Sequence, residues 1–119
     1  AETCVTVAST LTLDATACDT PVINIRFDAS KIGDFAYSVE RFYLPDFVRA
    51  LTETGATWVV LDKEEYLGAL QRIMSGERKS AAARDFMVKQ FIHALDGQSA
   101  KRIADTLIES IQPCARSSI

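Results

Sequence analysis

The chain has 119 residues, of which 48% are hydrophobic and 24% are charged, and its formal net charge is −3. This length corresponds to one domain or part of one, and the apolar share is sufficient for a packed core. The negative charge argues against a large nucleic-acid interface, which needs clustered Lys and Arg. No apolar run reaches the roughly 18 residues of a transmembrane helix, so the sequence predicts no membrane span.

Three cysteines, Cys4, Cys18 and Cys114, form no C-x-x-C pair. An odd number at these spacings indicates neither a disulfide framework nor a zinc site, and we expect no bound metal. Cys4 and Cys18 lie among apolar residues and are predicted to be small core residues. Reduced thiols favour a cytoplasmic protein, either free or peripheral at the inner membrane face.

The first stretch of the chain is predicted to form a strand, a helix and a second strand. Val5–Ala8 and Val22–Ile25 have the β-branched character of buried parallel strands. The segment between them is too long for a hairpin turn and matches a short crossover helix from Ser9 to Cys18. The helical period places Leu11, Ala15 and Cys18 on its packed side.

The start of this helix is the first candidate site. Ser9 or Thr10 falls at the helix N-terminus, where a hydroxyl can accept a bond from a backbone N–H that has no helical partner. Such N–H groups and the positive end of the helix dipole also favour phosphate. Thr10 and Asp14 share a side of the helix different from the packed one.

A long polar and aromatic segment from Arg26 to Leu44 follows the second strand and shows no clear period. Long loops inside compact domains are uncommon and are usually functional, so this segment is a candidate site element.

After residue 44 the chain is again predicted to alternate between helices and strands, with one more strand at Thr57–Leu61. Asp62 is the expected N-cap of the next helix, with Glu65 completing a capping box. Beyond Pro113 we expect a frayed tail. The predicted helices run from Pro45 to the cap at Gly55, from Asp62 to Gly76, from Ser80 to Leu95 and from Ser99 to Gln112.

The basic residues in the second half of the chain form one notable cluster. It is interrupted by acids and alanines, and we interpret it as a solvated helix face. Its members are Arg78, Lys79, Arg84 and Lys89.

Strands that alternate with helices predict an α/β fold: a partial Rossmann-like, three-layer parallel sheet of about three strands flanked by helices. Doubly wound sheets usually have more strands, and apolar edges would be exposed in so small a sheet. We therefore expect residues 1–112 to form an incomplete domain, with 113–119 as its tail. Either a further part of a larger fold or a partner chain completes the sheet.

Several motifs resemble the donor-binding domain of GT-B glycosyltransferases, closest to the CDP-glycerol glycerophosphotransferase-like and surface-polysaccharide transferases. The family pattern runs approximately S-T-L-x-L-E/D-A, a short spacer, then D/G-x-P-V-I-N. The similarity continues to the end of the chain in order and spacing. The matching segments are Val7–Ala15, Asp19–Asn24, Arg41–Tyr43, Asp62–Gly76 and Asp96–Ala104.

The resemblance implies the C-terminal segment of a GT-B enzyme that binds a nucleotide-diphosphate sugar or a CDP-polyol as substrate, with no further cofactor. Ser9 and Thr10 would hold the donor phosphates, and Asp14 would bind the ribose. The shorter Asp14 stands where the family more often has glutamate. Catalysis would need a general base from the N-terminal half, so this segment alone would bind weakly and have no turnover.

Four charged residues of the 26–44 segment are candidate contacts to the donor, because this segment leaves the carboxyl end of a strand. They are Arg26, Asp28, Lys31 and Arg41. The alternative interpretation is an ordinary surface loop.

Two other functions stay open. One is a fragment similar to UDP-amino-sugar 2-epimerases, and the other is a non-catalytic α/β interaction module that oligomerises through its sheet edge. His93 is interpreted as structural, because no Cys or acid lies near it at ligand spacing. No G-x-G-x-x-G, Walker-type loop or nucleophile elbow is present, which disfavours dehydrogenases, NTPases and hydrolases.

Overall fold

The computed structural model describes residues 2–31 and 33–111, so the tail predicted at 113–119 lies outside the described residues. Strands and helices alternate along the first half, and three helices follow the last strand. The strands are β1 (Cys4–Thr6), β2 (Val22–Ile25) and β3 (Trp58–Val60). The helices are α1 (Thr10–Ala17), α2 (Asp46–Thr52), α3 (Lys63–Met74), α4 (Ala81–Phe91) and α5 (Ser99–Ile111).

The three strands form one parallel sheet in the order β1-β2-β3. Val5 of β1 is opposite Ile23 of β2, which in turn is opposite Trp58 of β3. All three carboxyl ends therefore lie at the same edge of the sheet, where the loops leading to α1, α2 and α3 begin. The predicted α/β class with a small parallel sheet is confirmed.

Helices cover both faces of this sheet. On one face, Ile23, Trp58 and Val60 pack against Ala69 and Ile73 of α3. Side chains alternate along a strand, so their neighbours belong to the other face. There Val59 packs with Ala8, Tyr43 and Val48, and α1 crosses from β1 to β2. The arrangement is a three-layer α/β/α sandwich.

Helix α4 packs against α1 and α2. Its Met87 is fully buried against Leu51 and Ala56. The Arg84 guanidinium donates to the carbonyls of Thr16 and Ala17, both at 3.0 Å. The bond to Ala17 satisfies a carbonyl at the C-terminal end of α1, whereas the Thr16 carbonyl also accepts from the Asp19 N–H at 3.1 Å.

Several predicted bounds shift: α2 ends at Thr52 with Glu53 as its C-cap, and not at a Gly55 cap, and β3 is Trp58–Val60 and not Thr57–Leu61. Two further shifts have a clear local cause. The first strand is Cys4–Thr6 rather than Val5–Ala8, because the chain turns at Ala8, whose N–H donates to the Tyr43 hydroxyl at 3.3 Å. Helix α4 ends at Phe91 rather than Leu95, because His93 adopts a positive φ of 79° that does not continue a helix.

The predicted packed side of α1 is wrong. Leu11 is 51% exposed and Cys18 is an exposed free thiol, so Cys18 is not a core residue. Thr12 and Thr16 face the sheet instead. The Thr12 hydroxyl accepts a bond from the buried Asn24 side chain of β2 at 2.9 Å. A polar strand residue therefore determines which side of the helix is inside, because a buried amide needs a partner.

Replacing Thr12 with Val tests this orientation. The substitution keeps the shape of the side chain and removes the acceptor of the Asn24 amide. We expect the free energy of unfolding to fall by about 1–3 kcal/mol, the cost of a buried donor without a partner. Urea unfolding measures this fall in the free energy of unfolding. Thr12→Ser keeps the hydroxyl and should lose less. A Thr12→Val protein as stable as the parent would show that the bond does not orient α1.

Candidate functional site

The candidate site lies at the carboxyl edge of the sheet. Three connections leave this edge: 7–9 after β1, 26–45 after β2 and 61–62 after β3. In open parallel sheets, ligands bind in the crevice outside the carboxyl ends of the strands. A cavity of about 560 Å³ opens here and is lined by residues that follow β2 and β3, among them Phe27, Asp28 and Lys63. Its volume is in the range of small-molecule sites.

Helix α1 begins at this edge, as predicted. Ser9 is its N-cap: the hydroxyl accepts from the Leu11 N–H at 3.3 Å, and the Thr12 hydroxyl accepts from the Ser9 N–H at 3.5 Å. Ser9 and Thr10 are both exposed. Within residues 2–31 and 33–111, no group accepts a hydrogen bond from the Thr10 N–H. An exposed N–H at the positive end of a helix dipole can bind an anion.

Asp14 lies one turn further along α1 and is also exposed. Thr10 and Asp14 are four residues apart and therefore share a side of the helix. Thr10 and Asp14 therefore lie on one exposed side of α1, which begins at the carboxyl edge of the sheet, but neither they nor Ser9 lines the cavity of about 560 Å³.

The segment from Arg26 to Leu44 is folded over the same edge. It contains two short 3₁₀ helices, Phe35–Tyr37 and Val39–Tyr43. The Asp28 carboxylate accepts from the Ser38 hydroxyl at 2.7 Å and from the Val39 N–H at 2.8 Å. Asp28 therefore acts as a local cap, which sequence periodicity did not indicate.

Arg26 and Glu40 close this segment with a bidentate ion pair. The Arg26 Nε and Nη2 atoms lie 3.0 and 2.5 Å from the two carboxylate oxygens of Glu40. The bond from Arg26 lowers the pKa of Glu40, and the bond to Glu40 raises the pKa of Arg26. Bonds from Val39 and Ser38 likewise lower the pKa of Asp28. These carboxyl groups stay charged at neutral pH.

Tyr43 connects the segment to the start of α1. Its side chain is 1% exposed, and its hydroxyl accepts from the Ala8 N–H and donates to the Ile25 carbonyl at 2.5 Å. Burial raises the pKa of Tyr43, so the hydroxyl keeps the proton that it donates. Tyr43 lies in the Arg41–Tyr43 motif but was not among the predicted site residues.

Of the other predicted loop residues, Arg41 makes contacts within its own segment and Lys31 faces solvent. The Arg41 guanidinium donates to the Ala36 carbonyl and stacks on the Phe42 ring, 4.6 Å from its centroid. Lys31 is exposed. Arg26 and Asp28 follow β2 directly at the carboxyl edge, but the charges of Arg26 and Glu40 already compensate each other. In the described residues, exposed N–H groups without an acceptor occur at this edge both at Thr10, the start of α1, and at Lys63 and Glu64, the start of α3.

Two negative findings apply to residues 2–31 and 33–111. They contain no group of three or more His, Cys, Asp or Glu side chains that could hold a metal ion. In the same ranges, no helix has the length and apolarity needed to cross a membrane.

Comparisons of the sequence and structure with protein-family models, with curated proteins and with solved structures find no significant match.

Replacing Tyr43 with Phe removes both hydroxyl bonds and keeps the ring. We expect the free energy of unfolding to fall by about 1–3 kcal/mol, because the Ala8 N–H and the Ile25 carbonyl lose a buried partner. Urea unfolding measures the loss, and amide exchange should become faster at Ala8. Tyr37→Phe is the control, since Tyr37 is 74% exposed. Equal stability of the Tyr43→Phe and parent proteins would contradict the connecting role.

Proposed function

We propose that this chain is the donor-binding part of a GT-B-type glycosyltransferase, whose donor is a nucleotide-diphosphate sugar or a CDP-polyol. The donor phosphates would bind at the N-terminus of α1. One observation carries the proposal: α1 begins at the carboxyl edge of a parallel sheet with Ser9 and Thr10 exposed and the Thr10 N–H without an acceptor in the described residues.

The chemistry follows from this geometry. As the bond to the transferred group breaks, negative charge grows on the leaving phosphate. Fixed N–H groups and a helix dipole stabilise that charge, because they are oriented before the reaction starts. Ser9 contributes through the backbone, since its hydroxyl already caps the Leu11 N–H. Asp14 is the ribose ligand of the proposal, as its carboxylate can accept from ribose hydroxyls.

The uncovered edge of β1 supports a larger fold. Val5 is 42% exposed, although the residues opposite and beyond it in the sheet, Ile23 and Trp58, are buried under α3. A further strand and helix beside β1 would cover it. We propose that these belong to the remainder of the transferase, which also supplies the catalytic base, and that the enzyme works in the cytoplasm or at the inner membrane face.

Nucleotide titration tests the donor site. Because the proposal assigns only part of the site to this chain, we expect weak binding, and NMR amide shifts detect it at millimolar ligand. CDP, UDP and GDP are added separately to the ¹⁵N-labelled chain. At least one should shift the amides of residues 8–14 in a saturable manner.

The variants separate ligand binding from stability. Thr10→Pro removes the proposed phosphate-binding N–H at a helix position that tolerates proline, and Asp14→Ala removes the proposed ribose carboxylate. Both should weaken the binding, whereas Asp105→Ala on α5 should not. Ser9→Ala also removes the N-cap, which costs about 1 kcal/mol of stability by itself. If no nucleotide shifts residues 8–14 of the folded chain, the proposed function is wrong. If binding persists unchanged in Asp14→Ala, the ribose role of Asp14 is wrong.

A second candidate function is an interaction module that pairs with its own copy along β1. The exposed Val5 on an edge strand favours it, since unpaired edges readily add another strand.

This candidate predicts a concentration-dependent dimer in sedimentation experiments under reducing conditions. Val5→Lys should produce a monomer, because a charged side chain on an edge strand opposes pairing. Val5→Thr, which keeps a β-branched side chain, should still dimerise. A parent chain that stays monomeric at every concentration would eliminate this candidate and leave the donor-binding proposal intact.

A further inference from the structure

A second, smaller cavity lies at the opposite edge of the sheet from the candidate donor site. Its volume is about 40 Å³, and it is lined by the C-terminal end of α1, the start of β3 and the segment that joins α3 to α4. The lining residues that matter here are Asp19, Thr20, Trp58, Arg78, Lys79 and Arg84.

The lining carries more positive than negative charge: Arg78, Lys79 and Arg84 against the single carboxylate of Asp19. Arg84 lies 3.4 Å from Asp19, whose side chain is 84% exposed. Lys79 has no carboxylate within salt-bridge distance in the described part of the chain, and its Nζ lies 4.9 Å from the centroid of the Trp58 ring. Lys79 and Arg84 are half-buried, so the predicted solvated face is wrong for these two residues.

The lining also contains a buried donor without an acceptor. Trp58 is 5% exposed, and its indole N–H has no hydrogen-bond partner among the described residues. Leaving a buried donor unpaired is costly, and each such group in a folded protein needs an explanation. Burial also lowers the pKa of Lys79, and the charge of Arg72 lowers it further, while the nearby Glu77 carboxylate partly offsets both.

Both arginines retain donors for a ligand. Arg78 uses Nη1 for the carbonyls of Ile73 and Glu77. Arg84 uses Nε and Nη2 for the carbonyls of α1, and its Nη1 lies 3.6 Å from the Asp85 carboxylate. A guanidinium has several further N–H groups, and an ammonium donates in several directions. The cavity thus combines free donors, excess positive charge and a volume close to that of about three water molecules.

We propose that this cavity binds a small oxyanion of the phosphate class, held mainly by Lys79 with Arg78 and Arg84. The bound group is either free phosphate or the terminal phosphate of a larger molecule, because the cavity is open on one side and shares Trp58 and Lys79 with an adjoining cavity of about 420 Å³. The site lies at the amino ends of β2 and β3, away from the N-terminus of α1. It is therefore independent of the proposed donor site.

Trp58 is the only tryptophan of the chain, so its fluorescence reports directly on this cavity. The parent chain is titrated with inorganic phosphate at constant ionic strength, with sodium chloride as the balancing salt. We expect a saturable change in emission. Chloride alone should produce none.

Lys79→Met removes the charge and keeps an unbranched side chain over the indole. We expect phosphate affinity to fall by about tenfold or more, as for the loss of one charge-assisted hydrogen bond. Lys89→Met is the matched control, because Lys89 is exposed on α4 and does not line the cavity. Since Lys79→Met can itself alter the fluorescence, affinity is also measured from the phosphate-dependent rise in thermal stability.

A titration with glycerol phosphate distinguishes free phosphate from the terminal phosphate of a larger molecule. Binding as tight as that of inorganic phosphate identifies a terminal phosphate, whereas weaker binding identifies the free ion. Absence of saturation by either ligand overturns the proposal. An affinity unchanged in Lys79→Met overturns it as well. Because CDP also carries a terminal phosphate, a change at Trp58 with CDP would support binding of a terminal phosphate in this cavity. CDP shifts confined to residues 8–14, together with saturable binding of inorganic phosphate at Trp58, would instead identify the free ion.

Discussion

The hydrogen bonds of one buried hydroxyl hold the candidate donor site together. Tyr43 joins the Ala8 N–H, at the turn into α1, to the Ile25 carbonyl at the end of β2. These groups lie far apart in the chain, and without the hydroxyl both would lack this buried partner. The pair Arg26–Glu40 and the cap at Asp28 then fold the 26–44 segment around the same tyrosine. The position of the α1 N-terminus relative to the sheet depends on this arrangement.

A polar contact also decides which side of α1 meets solvent. Asn24 is fully buried in the central strand, and Thr12 supplies the acceptor for its amide. With Thr12 and Thr16 inside, Thr10 and Asp14 are outside, where a ligand can reach them. The helix loses the burial of Leu11 in this orientation, but an unpaired Asn24 N–H donor in the core would cost more than one partly exposed apolar side chain.

The two edges of the sheet have different electrostatic character. At the carboxyl edge, the backbone N–H groups at the start of α1 provide partial positive charge, while Arg26 and Glu40 compensate each other. At the amino edge, full charges on Lys79, Arg78 and Arg84 surround a small cavity. We propose that the first arrangement binds the diphosphate of a nucleotide donor. We propose that the second binds a compact anion. Because they lie at opposite ends of the strands, the two sites can be tested separately.

The sequence by itself determined the α/β class, the three parallel strands and the helix start at Ser9, because β-branched runs and capping residues act locally. It also placed Ser9, Thr10 and Asp14 at the start of one helix. It did not determine the buried side of α1, since apolar periodicity does not register a hydrogen bond such as Asn24 to Thr12. The role of Tyr43 and the partial burial of Lys79 and Arg84 arise from contacts between distant segments, such as Arg84 with the end of α1. Only the tertiary structure decided those, because the partners are brought together by packing and not by spacing along the chain.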